Sequence, residues 1–283
     1  MMGTGMLNKI NTYKIGICFL LFIMTVSSGA EAAVALQDQL KKATRQKVTA
    51  VTDGDTVILE DNSRVRLVGL QAPKLPLGRK NHTPWPLAQE SKRALEKLVL
   101  GQYVTLYYGG AERDRYGRAL AHLFRDNGLW VQGEMLNHGM ARVYSFADNR
   151  ALVTEMLNRE QQARRRQDGI WALDFYAPRT PAEGLPQRNR FQLVQAIVRN
   201  VAKVRGTYYL NFGDDWKTDF TIMIKSPAAR LFHKTGHAPE SYKNKKIEIR
   251  GWLKTYNGPM IEASHPEQIM IIDERILHDP RKE

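Results

Sequence analysis

The sequence predicts a mainly β protein with helices, an α+β chain built as two small five-stranded barrels. Short β-rich runs punctuated by Asp and Gly turns recur in both halves, and helical spacing is confined to a few stretches. A segment at 175–190 rich in proline and glycine (Pro178, Pro181, Gly184, Pro186) divides the 283 residues into pieces of domain size, with no internal repeat or low-complexity tract. The expected organisation is therefore a leader at 1–32, a first barrel at 33–174, a linker at 175–190 and a second barrel at 191–283.

At the N-terminus, Lys9 and Lys14 precede the apolar run "IGICFLLFIMTV" (15–26) and the small residues "SSGAEAA", in which Ala30-Glu31-Ala32 fits a cleavage site. This reads as a signal peptide, since an apolar core of about a dozen residues is short for a spanning helix. The expected destination is secreted or bacterial periplasmic, with no stable membrane association after cleavage. The only cysteine, Cys18, lies in that core with no lipobox before it. Cleavage would leave no thiol, disulfide or Cys-ligated metal.

Next, "KVTAVTDGDTVILEDNSRVRLVGL" reads as three antiparallel strands joined at Asp53-Gly54-Asp55 and Asp61-Asn62-Ser63. Behind Pro86, residues Leu87, Ser91, Ala94, Leu95, Leu98 and Val99 keep helical spacing up to the stop at Gly101. Strands "YVTLYY" and "RALAHLF" bracket the turn "GGAERDRYG", and helices follow at about 131–139 and 149–167. The order βββα-ββ-αα describes a small barrel with helices packed on it, an OB-like layout. The second half repeats the theme with strands "FQLVQAIVRNV", "TYYLNFG" and "DFTIMIK", a helix at about 227–236, and strands "KIEIRGWLK" and "MIEASHPEQIMII" around an Asn257-Gly258 hairpin.

The formal charge is +13. Basic residues outnumber acidic ones 25 to 17 in 33–190 and 15 to 11 in 191–283. Such a balance suits polyanions, nucleic acid or an acidic lipid surface, and also suits a merely solubilising surface. Phosphodiester chemistry requires positive charge on the phosphate, a cation held by oxygens, and a base for water. Asp53 and Asp55 share a tight turn that offers carboxylates to a hard cation or simply closes a hairpin. Arg66 shares a strand face with Arg64; directed into a barrel such an arginine calls for an anion, and otherwise it lies on a solvated sheet face. Arg115, Tyr116 and Arg118 share one turn and form either a phosphate clamp or a hairpin closure.

"VTDGDTV", "RLVGLQAP", "DRYGRALAHL", "HGMARVY" and "RRRQDGIW", in that order over about 47–172, resemble the staphylococcal nuclease (thermonuclease) family. The resemblance implies a first barrel of staphylococcal-nuclease type acting on DNA or RNA. It further implies Ca²⁺ held by two aspartates and a backbone carbonyl, two phosphate-gripping arginines and a glutamate serving water. Carried onto this chain, Asp55 matches the first metal aspartate, Asp53 the outer aspartate of the turn, and Ala72 the carbonyl position. Arg66 and Arg118 match the arginines, and Tyr116 a phosphate-bonding tyrosine. Gln71 stands where a second metal aspartate is expected and Lys74 where the glutamate is expected, so Ca²⁺ binding is expected to be weak.

Three accounts of Lys74 stay open: an ammonium that has taken over the metal's role, a phosphate binder without cleavage, or a local slip that brings Glu90 or Glu112 to the site. The functional expectation is an exported thermonuclease-like phosphodiesterase with an altered site. The alternative is an inactive nucleic-acid or polyanion binder; protein partners are unspecified. Tyr144 and Phe146 lie where the family stacks a base, one residue out of register, and serve either stacking or loop packing. The run Arg164–Arg166 reads as a solvated helix face. The histidines form no HExxH motif, and no zinc site is expected. In the second half Tyr208, Tyr209, Phe212 and Trp216 offer a stacking platform or core.

Overall fold

The computed structural model describes residues 33–78, 82–183, 190–215, 217–255 and 257–272. The expected signal peptide, with Cys18, lies outside the described residues, as does Trp216. Strands β1 (Lys41–Asp53), β2 (Thr56–Leu59) and β3 (Arg64–Leu67) form the antiparallel meander expected from the two Asp-containing turns. The two-residue strand β4 (Leu70–Gln71), helix α1 (Ala88–Val99), β5 (Tyr103–Tyr108) and β6 (Ala119–Arg125) follow. The first sheet closes as a barrel in the order β1-β2-β3-β6-β5, with β3 and β6 parallel. Closure satisfies both edges of every strand, which removes exposed ladders.

Helix α1 buries Ala88, Ser91, Leu95 and Val99, a stripe at helical spacing. Leu95 and Val99 are wholly enclosed, each stabilising the fold by roughly 1.5–3 kcal/mol. Beyond β6 lie α2 (Val131–Asn137), β7 (Arg142–Val143) and α3 (Val153–Arg166). The β4 and β7 strands, too short to announce themselves in the sequence, pair antiparallel as Leu70 with Val143 and Gln71 with Arg142.

In the second half, β8 (Phe191–Ile197) and β9 (Asn200–Val204) are two parts of one expected strand, interrupted where Val198 turns into the core. After them come β10 (Thr207–Asn211), β11 (Thr221–Ile224), α4 (Ser226–Lys234), β12 (Lys246–Thr255), β13 (Pro259–Glu262) and β14 (Ile269–Ile271). β9 pairs β10, β10 pairs β11, β11 runs parallel to β13, β13 pairs β12, and β12 pairs β8. That path repeats the strand order of the first barrel, again with the third and last strands parallel, and β8 and β9, separated by two residues in sequence, lie at its two ends. The last expected strand is also divided: a 3₁₀ turn at Pro266–Gln268 separates β13 from β14, because proline has no N–H to offer a ladder.

Where described, the segment 175–190 is tied to both neighbours. The Tyr176 hydroxyl donates to the Pro86 carbonyl at 2.6 Å, and Arg179 exchanges backbone bonds with Leu193 and Gln195 of β8. The apolar cores remain two separate clusters, and ion pairs join them. Arg250 on β12 bonds both oxygens of Glu160 on α3, at 2.9 and 3.1 Å, and Arg164 bonds both oxygens of Glu248, at 2.8 and 2.6 Å. The expected solvated face at 164–166 therefore holds only for Arg165 and Arg166. Arg164 is drawn into the seam because β12 brings a buried carboxylate opposite it.

Candidate functional site at the mouth of the first barrel

The turn between β1 and β2 presents two carboxylates because Gly54 lets neighbouring elements close over it. A Cβ at Gly54 would fall 2.0 Å from Ser91 Oγ on α1 and 2.7 Å from Ala72 Cβ. The Asp55 carboxylate is wholly buried and fully engaged. Its Oδ1 pairs with Arg66 Nη1 and accepts from Thr56 Oγ1 at 3.2 Å, while Oδ2 accepts from the Ala72 N–H at 2.9 Å and from Lys74 Nζ at 2.5 Å. Lys74 Nζ also lies 3.6 Å from Asp53 Oδ2. Such saturation lets a buried carboxylate persist, since an unpaired one would be costly.

Of the two readings of Arg66, the structure takes neither whole: it does not point into the barrel, and it is not solvated. Val65 and Leu67 take the core face of β3, and alternation puts Arg66 on the other face. There it donates to the Leu70 carbonyl at 3.0 Å and the Asp55 carbonyl at 3.3 Å. Arg118 binds Asp114, with Nε and Nη2 each 2.7 Å from Oδ2. Burial raises the Asp114 carboxyl, but Arg118 and two backbone N–H groups outweigh it and hold the pKa below the usual value. Tyr116 stands 69% exposed at the tip of this turn, with Arg115 and Arg118 over its ring at 4.9 and 5.7 Å. Burial lowers the pKa of both Arg66 and Lys74, and the charge of Arg118 adds to the depression of each.

Gln71 and Ala72 each bond a neighbouring side chain. The Gln71 amide oxygen accepts from Arg142 Nε and Nη2 at 3.1 and 2.8 Å, and Ala72 reaches Asp55 through its N–H. Arg142 is itself buried over the Phe191 ring at 4.5 Å. Among the described residues no group of three or more His, Cys, Asp or Glu converges. Glu90 is exposed on α1 and Glu112 pairs with Lys41 at 2.8 Å, so neither joins Asp55. Tyr144 lies near enough to Arg66 to affect its ionisation, and its hydroxyl accepts from Trp252 Nε1 at 2.8 Å. Tyr208 is instead core, bonded to Glu240, and Phe212 packs on Phe220. The sequence reading missed Asp114, Arg142 and Trp252. The i to i+4 spacing of Asp114 and Arg118 within one turn was a usable signal for the first; nothing local marked the others.

Burial, then the Arg66 charge, lowers the Lys74 ammonium from 10.5 to about 7, against the pull of Asp53. The unfolded chain therefore holds this proton more tightly than the folded one between pH 7 and 10.5, and folding stability gains as pH rises through that window. In urea titrations at pH 7 and pH 9, Lys74→Met is expected to reduce that gain, and an unchanged slope would contradict it.

A closed OB barrel carrying carboxylates and arginines at one mouth defines the class as a barrel suited to phosphate-bearing ligands. The family model described as Staphylococcal nuclease homologue matches residues 64–173. An uncharacterized endonuclease of Escherichia coli O157:H7 is 31% identical over 129 residues, 44% of this chain and 76% of that protein. The thermonuclease of Staphylococcus hyicus is 27% identical over 177 residues, 59% of this chain and 99% of that protein. A probable staphylococcal-like nuclease of Oryza sativa subsp. japonica is 34% identical over 115 residues, 41% of this chain and 30% of that protein. The chain belongs to the staphylococcal nuclease family, which supports a nuclease-like, nucleic-acid-related function.

Proposed function

We propose that this protein, exported by its leader, grips the phosphodiester backbone of DNA or RNA at the first barrel's mouth and cleaves it without Ca²⁺. One observation carries the reading: Lys74 Nζ lies 2.5 Å from Asp55 and 3.6 Å from Asp53, a tethered cation between the two carboxylates of the turn. The residues present do not fit Ca²⁺, which takes about six to eight oxygen ligands. Here an ammonium bridges the carboxylates and the Gln71 oxygen is committed to Arg142.

A phosphate entering beside Lys74, Arg66 and Arg118 meets preformed positive charge where charge develops during cleavage. Asp53, less tightly engaged than Asp55, is the carboxylate that takes a proton from water. A binder without cleavage has its own supporting observation: Asp55 is saturated and Arg118 is engaged by Asp114. Incubating the mature protein with plasmid DNA and with RNA, in chelator and in Ca²⁺, decides between them. The expected result is equal cleavage in both conditions, abolished by Arg66→Ala. Salt-sensitive binding without cleavage favours the binder, and no binding at low salt overturns the nucleic-acid reading.

A further inference from the structure

The seam between the barrels opens beside the first site into a cleft of about 210 Å³. Tyr144, Phe191 and Trp252 wall it with aromatic rings, and Ser145, Ser264 and Gln268 supply polar groups. Ser145 lies just past β7 in the first barrel, whereas Ser264 and Gln268 lie between β13 and β14 in the second. His265, wholly buried, joins the two serines: its Nε2 is 2.8 Å from Ser145 Oγ and its Nδ1 2.9 Å from Ser264 Oγ.

The neighbours fix which ring nitrogen carries the proton. Gln268 Nε2 donates to the Arg250 carbonyl at 3.0 Å, which turns its Oε1 toward Ser264. That oxygen accepts from the Ser264 N–H at 2.7 Å and from the Ser264 hydroxyl at 3.0 Å. With its hydrogen given away, Ser264 Oγ can only accept from His265, so Nδ1 is the protonated nitrogen. Nε2 is left as an acceptor and takes the Ser145 hydroxyl hydrogen. Burial, against the pull of Glu267, lowers the His265 pKa to about 4, so the ring is neutral at pH 7. A hydroxyl bonded to an unprotonated imidazole, itself held by a third group, has the geometry of an activated nucleophile.

We infer that this cleft is a second, covalent catalytic site for small carboxylic esters, with Ser145 as nucleophile, His265 as base and Ser264 positioning the imidazole. The site does not depend on the phosphate reading above. Ser145 Oγ bonds to the acyl carbon while its proton passes to His265 Nε2; the bond from that carbon to the alcohol oxygen breaks, and the alcohol leaves with the proton. Water then attacks the acyl-serine, giving its proton to His265, and the acid departs as Ser145 regains its hydrogen. The aromatic walls suit an aryl or apolar portion of the ester, and the volume restricts it to a small one.

The whole mature chain, incubated with an aryl fluorophosphonate and separately with p-nitrophenyl acetate, tests this. The first reagent forms an Oγ–P bond as its P–F bond breaks and fluoride leaves. Peptide mass spectrometry is expected to place one phosphonyl group on Ser145, and p-nitrophenolate release to exceed the buffer rate; Ser145→Ala should abolish both. His265→Gln keeps an acceptor for Ser145 and a donor for Ser264, so it should melt near the native temperature. It cannot take the proton, and labelling should slow by roughly 10²–10⁴-fold. Ser264→Ala should also slow labelling, and Ser264→Thr, which keeps the hydroxyl, should restore it. No label on Ser145 after prolonged exposure, or equal labelling of the native chain and His265→Gln, overturns the assignment and leaves the pair a clasp between the barrels.

Discussion

Replacing Arg250 with alanine is expected to cost about 3–5 kcal/mol of folding stability, the range for removing one partner of a buried ion pair. Arg250 is 3% exposed and Glu160 fully buried, yet their guanidinium–carboxylate bonds span the seam between the two cores. Glu160 also accepts the Val143 N–H at 2.5 Å, and Glu248 stands 3.4 Å from Arg250. Without Arg250, two buried carboxylates share Arg164 as their remaining cationic partner. Urea unfolding measures the loss. Adding Glu160→Gln to Arg250→Met should recover a large part of it, because the amide can still accept from Val143 and no charge is stranded. A loss below about 1 kcal/mol would mean that water enters the seam freely and that the barrels are joined by something other than these ions.

Lys74→Glu is expected to convert a chain indifferent to Ca²⁺ into one that the ion stabilises. In the native chain the Lys74 amino group, charged below about pH 7, lies between Asp53 and Asp55. A glutamate there places three carboxylates together, and their repulsion lowers stability in chelator until a dication relieves it. At Ca²⁺ about one hundred times the dissociation constant the gain is about 2.7 kcal/mol. Thermal melts in chelator and in Ca²⁺ read it directly: the native chain should melt alike in both, and the variant should not. Adding Gln71→Asp should contribute little further affinity, because Arg142, already 2.8 Å from that side chain, would capture the new carboxylate. A native melting temperature that rises with Ca²⁺ would refute the tethered-cation reading.

Local chemistry made much of this molecule legible in advance. Tyr103–Tyr108 alternates and ends in Gly109-Gly110, and the strand occupies that span. Leu95 and Val99 repeat at helical spacing, and they are the buried stripe of α1. The motif residues Asp55, Arg66 and Lys74 were nameable, and they meet. What escaped depends on partners distant in sequence. Nothing around Arg164 says that β12 will bring Glu248 against it, some eighty residues on. Nothing in "RGWLK" says that Trp252 will reach Tyr144. The direction of Arg66 stayed open because strand alternation tells which residues share a face and not which face meets the core.

By itself, then, the sequence determined the order of the principal strands and helices, the Asp-Gly-Asp turn and the family, since periodicity, turn chemistry and motif spacing act between near neighbours. Only the tertiary structure decided that Lys74 bridges two aspartates, that Arg142 holds Gln71, and that the second barrel walls a cleft beside the site. Those outcomes follow from burial: a charged or amide group removed from water takes whichever partner the fold brings within reach, and the fold is a property of the whole chain.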